Sequence, residues 1–360
     1  MKKKHMRRAL ALARRGAGRV SPNPMVGAVV VKNDRRVGEG YHLFSKKDHA
    51  EVLALRSAGK EASGADLYLN LEPCSHHGRT PPCVDRILES GIRNVFVATL
   101  DPNPQVAGKG IRILQQAGIN VEVGLCEKEA TRLNEVFFHF ITSGSPFVTL
   151  KSAMTLDGKI ATKSGASKWI TGDQSRRQGH RLRYESDAIL TGVNTVLQDD
   201  PSLDVRWTRS NPITKIVLDT HLRTPPQARL FRSGDRVLIF HGAPAKNSRK
   251  KLFENRAILI SVPVCEDGVQ FGPILDELGK LSISSVLIEG GSRIAASAVK
   301  GGYVKRVCFF YGSKLIGGNG LSALGDLGVG SLNQSPYITD IRVRRLGDDF
   351  WVQGYFSVGC

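Results

Sequence analysis

A chain of 360 residues, 41% of them hydrophobic, is long enough for two domains with substantial cores. Its formal charge of +18 suits nucleic acid, an acidic membrane surface or phosphorylated small molecules without choosing among them, and the basic residues are scattered as on a solvated surface. No stretch approaches the length of a transmembrane helix, and the six cysteines, at 74, 83, 126, 265, 308 and 360, form no disulfide framework, which sets aside a membrane protein and a secreted scaffold and leads us to expect a reducing, cytoplasmic setting.

The N-terminus is basic, with too short an apolar core for a signal peptide, and Met6 to Arg15 is predicted as the first helix. Ser21-Pro22-Asn23-Pro24 reads as a turn and Val26 to Val31 as an apolar strand. Asn23 there either presents its amide to a ring edge or serves only the turn. Asp48 is expected to cap a helix running to about Ala58, with Gly59 ending it. Ala65 to Leu71 is the next strand, Cys83 opens a helix that Gly91 closes, and Asn94 to Leu100 is a strand. Gly110 to Ala117 is a helix, Ile119 to Val123 a strand, and one helix is predicted from about Glu127 to Ile141. Strands alternating with helices imply a layered α/β domain.

Ser143-Gly144-Ser145-Pro146 reads as a linker, dividing the chain into domains at 1–145 and 146–360. The second alternation has a strand from Phe147 to Ser152, a helix over about Gln174 to Tyr184 and a strand at Ala188 to Leu190. A short helix then precedes the Asp199-Asp200-Pro201 turn. Further strands lie at Lys215 to Leu218, Arg236 to Phe240, Ala257 to Ser261 and Val286 to Ile288, and the end, from Tyr303 to Phe356, reads as β-rich.

Chemistry concentrates first at His49-Ala50-Glu51, taken with Glu72-Pro73-Cys74 and Cys83. A histidine, two cysteines and a non-ligating glutamate are the parts of a zinc deaminase site. His49, Cys74 and Cys83 supply three ligands to a tetrahedral zinc, and water is the natural fourth. Glu51, two residues after the histidine, is placed to carry protons without binding the metal. Eight residues separate the cysteines, whereas nucleobase deaminases space theirs by two. In the second half, Glu289-Gly290-Gly291-Ser292 between a strand and a helix offers an anion site at a helix N-terminus, although this motif alone also describes an ordinary strand–helix turn. Arg183 and Arg206 are candidates for a substrate phosphate, or are surface arginines. Asp219 to Arg223 offers hydroxyl and basic groups suited to a 2′-phosphate.

Together these stretches resemble the bifunctional riboflavin-biosynthesis deaminase–reductase family over nearly the whole chain. The likeness is carried by NPMVG at 23–27, HAE at 49–51, EPCSHHGRTPPC at 72–83, LDGKIA at 156–161, TGVNTVLQDDPSLDVR at 191–206 and EGGS at 289–292; the eight-residue cysteine gap is the family's own. The resemblance implies an α/β chain with an N-terminal cytidine-deaminase-like three-layer domain and a C-terminal dihydrofolate-reductase-like domain. It implies Zn2+ and NADPH as cofactors and phosphorylated ribosylaminopyrimidines as substrates. No nucleic acid or membrane partner is expected, and a homo-oligomer is. The first domain would hydrolyse the 2-amino group of 2,5-diamino-6-ribosylamino-4(3H)-pyrimidinone 5′-phosphate, and the second would reduce the ribosyl to a ribityl chain.

By the same resemblance, Asn23, His42, Ala50 and His76 match deaminase substrate contacts and Arg79 a phosphate contact. Ser167, Arg183, Leu203, Arg206 and Glu289 match reductase substrate contacts. Ala153, Trp169, Thr195, Asp199, Thr220 and the segment Gly291, Ser292, Arg293, Ile294, Ala295, Ala296 and Ser297 match cofactor contacts. Lys151 and Asp199 are both candidate catalytic groups for hydride transfer, with the proton donor open between them. The chain departs from the family at Leu43 to Asp48, which lacks the usual Gly and Pro, and at Asp204, where a neutral Asn or Thr is usual. We expect the Asp204 carboxylate to point away from the arginines.

Overall fold

A computed structural model describes residues 1–76, 81–103, 106–207, 212–242, 247–266 and 268–357. The chain forms two compact units, Met1–Gly144 and Ser145–Cys360.

In the first unit, strands β1 (Gly27–Lys32), β2 (Arg35–Tyr41), β3 (Asp66–Leu69), β4 (Asn94–Val97) and β5 (Asn120–Val123) form one sheet in the order β2-β1-β3-β4-β5. β1 pairs antiparallel with β2 and β3; β3, β4 and β5 run parallel. Side chains alternate across a strand. Ala28 and Val30 therefore join Leu67, Leu69, Val95 and Val97 against helices α2 (Ala50–Ala58), α3 (Cys83–Glu89) and α4 (Lys109–Gln116). Val29 and Val31 join Tyr68 and Phe96 against α1 (Lys2–Ala13) and α5 (Glu127–Leu133). Three layers result, helix, sheet and helix, as the resemblance implied.

The seating of α2 is set by glycine. A Cβ on Gly38 would lie 2.2 Å from the Ala54 carbonyl oxygen, and one on Gly40 would lie 2.3 Å from that of Ala50. Alanines at 50, 54 and 58 repeat every four residues and place a smooth helix face on that glycine surface. Gly59, at a φ of 54°, ends the helix.

Four local expectations change. The N-cap of α2 is His49; Asp48 instead pairs with Arg56 at 2.8 Å. The first helix begins at Lys2. Strand β2 was not predicted, because RRVGEGY carries no apolar alternation; its glycines serve α2. The single helix predicted over 127–141 is two, α5 and α6 (Glu135–Ser143), broken at Asn134. The Asn134 side chain accepts from the Met25 N–H (2.8 Å) and donates to the Met25 carbonyl (3.0 Å), so a tertiary bond outweighs local helix propensity.

The second unit contains β6 (Phe147–Thr155), β7 (Lys159–Ala161), α7 (Asp173–Glu185), β8 (Ala188–Gly192), α8 (Val193–Asp199), β9 (Thr214–Leu218), β10 (Val237–His241), α9 (Asn247–Lys251) and β11 (Ile258–Ser261). It continues with β12 (Val264–Cys265), β13 (Gly268–Val269), α10 (Phe271–Lys280), β14 (Ser285–Glu289), α11 (Ser292–Lys300), β15 (Val304–Gly312), β16 (Leu321–Ser322), β17 (Ile338–Leu346) and β18 (Asp349–Phe356). Nine of these strands make a sheet in the order β11-β10-β9-β8-β14-β6-β15-β18-β17. It is parallel from β11 to β15, and the last two pairings are antiparallel. β8, β9, β10 and β14 are buried at every position, as parallel strands covered on both faces must be. β14 returns between β8 and β6, so the order in which strands are added to the sheet reverses there while the strands stay parallel. The carboxyl ends of these strands border the crevice where open α/β sheets take ligands.

Gly40→Ala should destabilise the first unit by about 1–3 kcal/mol, the usual cost of overpacking, because the obstacle is helix backbone rather than a movable side chain. Denaturant unfolding of the purified chain measures it.

Candidate active sites

His49, Cys74 and Cys83 come together in the first unit, with one ligand atom of each lying within 4.8 Å of the others. His49 caps α2, Cys74 follows β3, and Cys83 is the buried first residue of α3. His49 Nδ1 is 3.1 Å from Cys83 Sγ and 3.6 Å from Cys74 Sγ, and the Cys83 N–H donates to Cys74 Sγ at 3.3 Å. A hydrogen bond from the Cys83 thiol lowers the Cys74 thiol to about 4, and the same contact pushes Cys83 up. Two sulfurs and an imidazole nitrogen this close together are a donor set that fits a zinc ion.

Glu51 lies in the first turn of α2 and is 3% exposed, and its Oε2 has no hydrogen-bond partner. Burial, and then the Cys74 charge, raise its carboxyl to about 7. A buried carboxyl group with one oxygen free, beside a metal triad, is suited to proton transfer. His42 packs edge-on against His49, ring centroids 5.4 Å apart, and Asn23 Nδ2 is 3.3 Å from His42 Nε2. Burial lowers the pKa of His42, and the neighbouring His49 charge lowers it further. Ala50 is fully buried, with its carbonyl against Gly40 of β2. His76 is exposed, and Arg79 lies outside the described residues.

Sequence reading missed the support behind this site. The buried Glu72 carboxylate accepts N–H groups from Asp101 (3.2 Å), Gly108 (2.9 Å) and Gly110 (3.0 Å), tying the loop before α4 to the segment that carries Cys74. Asn70 accepts from the Gly27 N–H at 2.7 Å and donates to the Met25 carbonyl at 2.9 Å. With Asn134 it fixes the backbone two residues beyond Asn23. The only sequence signal was an asparagine inside an otherwise helical pattern.

In the second unit, Glu289 at the end of β14 is the centre of charge. Arg183 on α7 grips it with two bonds, Nε to Oε1 at 2.7 Å and Nη2 to Oε2 at 2.9 Å, and Lys151 Nζ on β6 lies 3.4 Å from Oε2. Burial alone would raise the Glu289 carboxyl; the charges of Arg183 and Lys151 outweigh it and hold it well below the usual range. Arg183 Nη1 also donates to the Asp204 carbonyl at 3.0 Å. Leu203, buried, takes a left-handed φ of 54° in the same loop, while Arg206 is exposed. The Asp204 carboxylate pairs with Lys215 at 2.7 Å rather than with the arginines.

Gly290 and Gly291 both adopt positive φ ahead of α11, and a Cβ on Gly290 would lie 2.7 Å from Thr191 Oγ1 and 2.8 Å from Thr195 Oγ1. Thr191 Oγ1 is buried without a partner. This cradle at a helix N-terminus fits the phosphates of a nicotinamide cofactor. Ser292, Ala295 and Ala296 face the core, so they can contribute backbone only, whereas Arg293, Ile294 and Ser297 are at least partly open. Ala153 is partly buried in the cluster around Phe310. Trp169 is exposed beneath the Arg176 guanidinium, 4.5 Å from its ring centroid. Ser167 Oγ reaches the exposed Asp199 at 3.5 Å, and Thr220 lines the turn that Gly242 and Gly268 approach.

Residues 146–352 match the RibD C-terminal domain, and residues 1–99 match the cytidine and deoxycytidylate deaminase zinc-binding region. Riboflavin biosynthesis protein RibD of Aquifex aeolicus is 46% identical over 96% of both chains, and that of Escherichia coli K12 is 39% identical, again over 96% of both. The chain belongs to the RibD family. Its members join a deaminase and a reductase of riboflavin biosynthesis, and this chain is such a bifunctional enzyme. A Thermotoga maritima structure titled diaminohydroxyphosphoribosylaminopyrimidine deaminase/5-amino-6-(5-phosphoribosylamino)uracil reductase superposes with a TM-score of 0.88 at 37% identity, over 99% of this chain and 98% of that one. Acinetobacter baumannii RibD, form 1, gives 0.88 at 35% identity, over 99% of each chain.

His180, also not anticipated, sits one turn before Arg183 on α7, and its Nδ1 is buried without a partner. Burial, then the charges of Arg183 and Arg206, lower its pKa from 6.5 to about 4. The unfolded chain therefore takes up a proton in that window before the folded chain does. The contribution of His180 to stability is full above about pH 6.5 and falls as pH drops toward about 4. Comparing melting temperatures at about pH 5 and about pH 7, His180→Gln should show a smaller acid-side loss than the unaltered chain.

Proposed function

We propose that the first unit removes the 2-amino group of 2,5-diamino-6-ribosylamino-4(3H)-pyrimidinone 5′-phosphate, and that the second reduces the ribosyl side chain of the product to ribityl with NADPH. The observation that carries the reading is the three-ligand cluster of His49, Cys74 and Cys83 beside the buried Glu51, whose Oε2 has no partner. Zinc held there would supply a water activated for attack near neutral pH. Glu51 would hold the proton released from that water at its carboxylate and pass it to the ring nitrogen and then to the departing amine. A carboxyl raised to about 7 both accepts and donates a proton near neutrality. Asn23 and His42 would orient the pyrimidine edge, and Arg79 would receive the phosphate.

In the second unit, Gly291 to Ser297, Thr195, Thr220, Ala153, Trp169 and Asp199 would hold NADPH, which supplies the hydride. Arg183 and Arg206 would bind the substrate phosphate, with Ser167, Leu203 and Glu289 lining the remainder. Opening the ribosyl ring places one proton on its ring oxygen. Lys151, a cation held beside the buried Glu289, supports that role better than Asp199, which is exposed and touches only Ser167 at long range. The free thiols among the described cysteines fit a reducing cytoplasm, and we infer a homo-oligomer acting on small phosphorylated substrates, without nucleic acid or membrane.

Metal analysis should find about one zinc per chain, as one three-ligand set predicts. Glu51→Gln should keep that zinc while deamination falls at least about 10²-fold, the scale of a general acid–base group. The same variant, given the deaminated intermediate, should still oxidise NADPH. Loss of zinc together with activity would reassign Glu51 as a ligand or support.

A further inference from the structure

Lys215, on β9 within the parallel sheet, has a fully buried side chain. A buried ammonium is costly unless its three protons are used. Here Nζ donates to Asp204 Oδ1 (2.7 Å), Ser233 Oγ (2.6 Å) and the Leu230 carbonyl (3.2 Å), with Asp235 Oδ2 at 3.3 Å. Asp204 has two ends in use. Its backbone carbonyl takes Arg183 Nη1 at 3.0 Å, and its carboxylate takes Lys215. That side chain is 47% exposed, so packing does not hold it; the ammonium does, with Ser202 and Ser233 as further hydrogen-bond partners. The charge nevertheless acts on Arg183. Leu203 and Arg206 flank it in the same loop.

We propose that Lys215 is a positioning residue of the reductase site: by holding the Asp204 carboxylate against its own ammonium, it keeps an anionic side chain of this chain away from the arginines that receive the anionic group of the substrate. The proposal rests on the reading that Arg183 and Arg206 bind the substrate phosphate. Its physical content is competition. Freed from Lys215, the Asp204 carboxylate has Arg183 as a cation its own backbone already touches, and a side-chain carboxylate at that place opposes a phosphate by like charge. Neither Lys215 nor Asp204 needs to touch substrate for this to operate.

The test is steady-state reduction of the deaminated pyrimidine phosphate by the full-length enzyme with NADPH. Lys215→Met should raise the substrate KM by about tenfold, the scale of one lost charge-assisted contact, with kcat and the KM for NADPH changed less than about twofold. Lys215→Met with Asp204→Asn should recover most of that loss, because the competing charge is gone. A purely structural role for Lys215 predicts no such recovery. An unchanged KM in Lys215→Met, or a double variant as impaired as the single, overturns the proposal. Should Lys215→Met not fold, Asp204→Asn alone decides. With its carboxylate already held by Lys215, the change should tighten substrate KM by less than about twofold, and a tightening near tenfold would show that the carboxylate competes despite Lys215 and overturn the proposal. Arg206→Ala separates the two readings. If it leaves substrate KM unchanged, the phosphate assignment fails; if it raises KM while Lys215→Met does not, only the role of Lys215 fails.

Discussion

The first unit depends on how closely helix α2 can approach the sheet. Helix backbone rests where Gly38 and Gly40 leave no side chain, so the Ala50 and Ala54 carbonyls come within contact of β2. That seating fixes the helix start, and the helix start holds both His49 and Glu51. A candidate metal ligand and the proposed proton carrier, two residues apart on one rigid turn, cannot drift independently. The other two ligands come from the segment after β3 and the start of α3, and Glu72 binds the first of these to the loop before α4. Three separate pieces of chain thus meet to within a few ångströms, and each is held by backbone contact or by a buried side chain bonded to backbone.

The second unit is organised by charge. Glu289 is buried where an isolated carboxylate would be neutral, and stays ionised because Arg183 and Lys151 stand against it. Such a cluster adds little to stability, since desolvation offsets most of the Coulomb gain. Its effect is to hold two cations in fixed positions at the carboxyl end of the parallel strands, beside the Gly290-Gly291 cradle. His180 has its pKa lowered by burial, and then by the charges of Arg183, Arg206 and Lys151, which oppose a further cation there. The Lys215 and Asp204 pair extends this logic two strands further, to β9.

Much of this was legible in the chain. The alternation of apolar strands with helices, the Gly and Pro punctuation near 143–146 and most strand positions follow from local periodicity, which needs no knowledge of neighbours. The metal set was legible too, because His-x-Glu and Pro-Cys are short motifs whose residue types have few other uses together. Misreadings fell where a distant partner overrides local preference. Asn134 breaks a helix to bind Met25, Asp48 leaves the cap position to His49 and takes Arg56, and β2 exists because β1 and α2 cover it.

The sequence by itself determined the two α/β halves, the three zinc-ligand types with their adjacent glutamate, and the glycine pair ahead of α11, because each of these is written in neighbouring residues. Only the tertiary structure decided which side chains stand behind them. Glu72 reaches a loop nearly forty positions away, Glu289 takes Arg183 from 106 positions away, and Lys215 takes a carboxylate from 11. Charges and buried amides find partners by distance in space, and chain spacing carries no record of that distance until the sheets have formed.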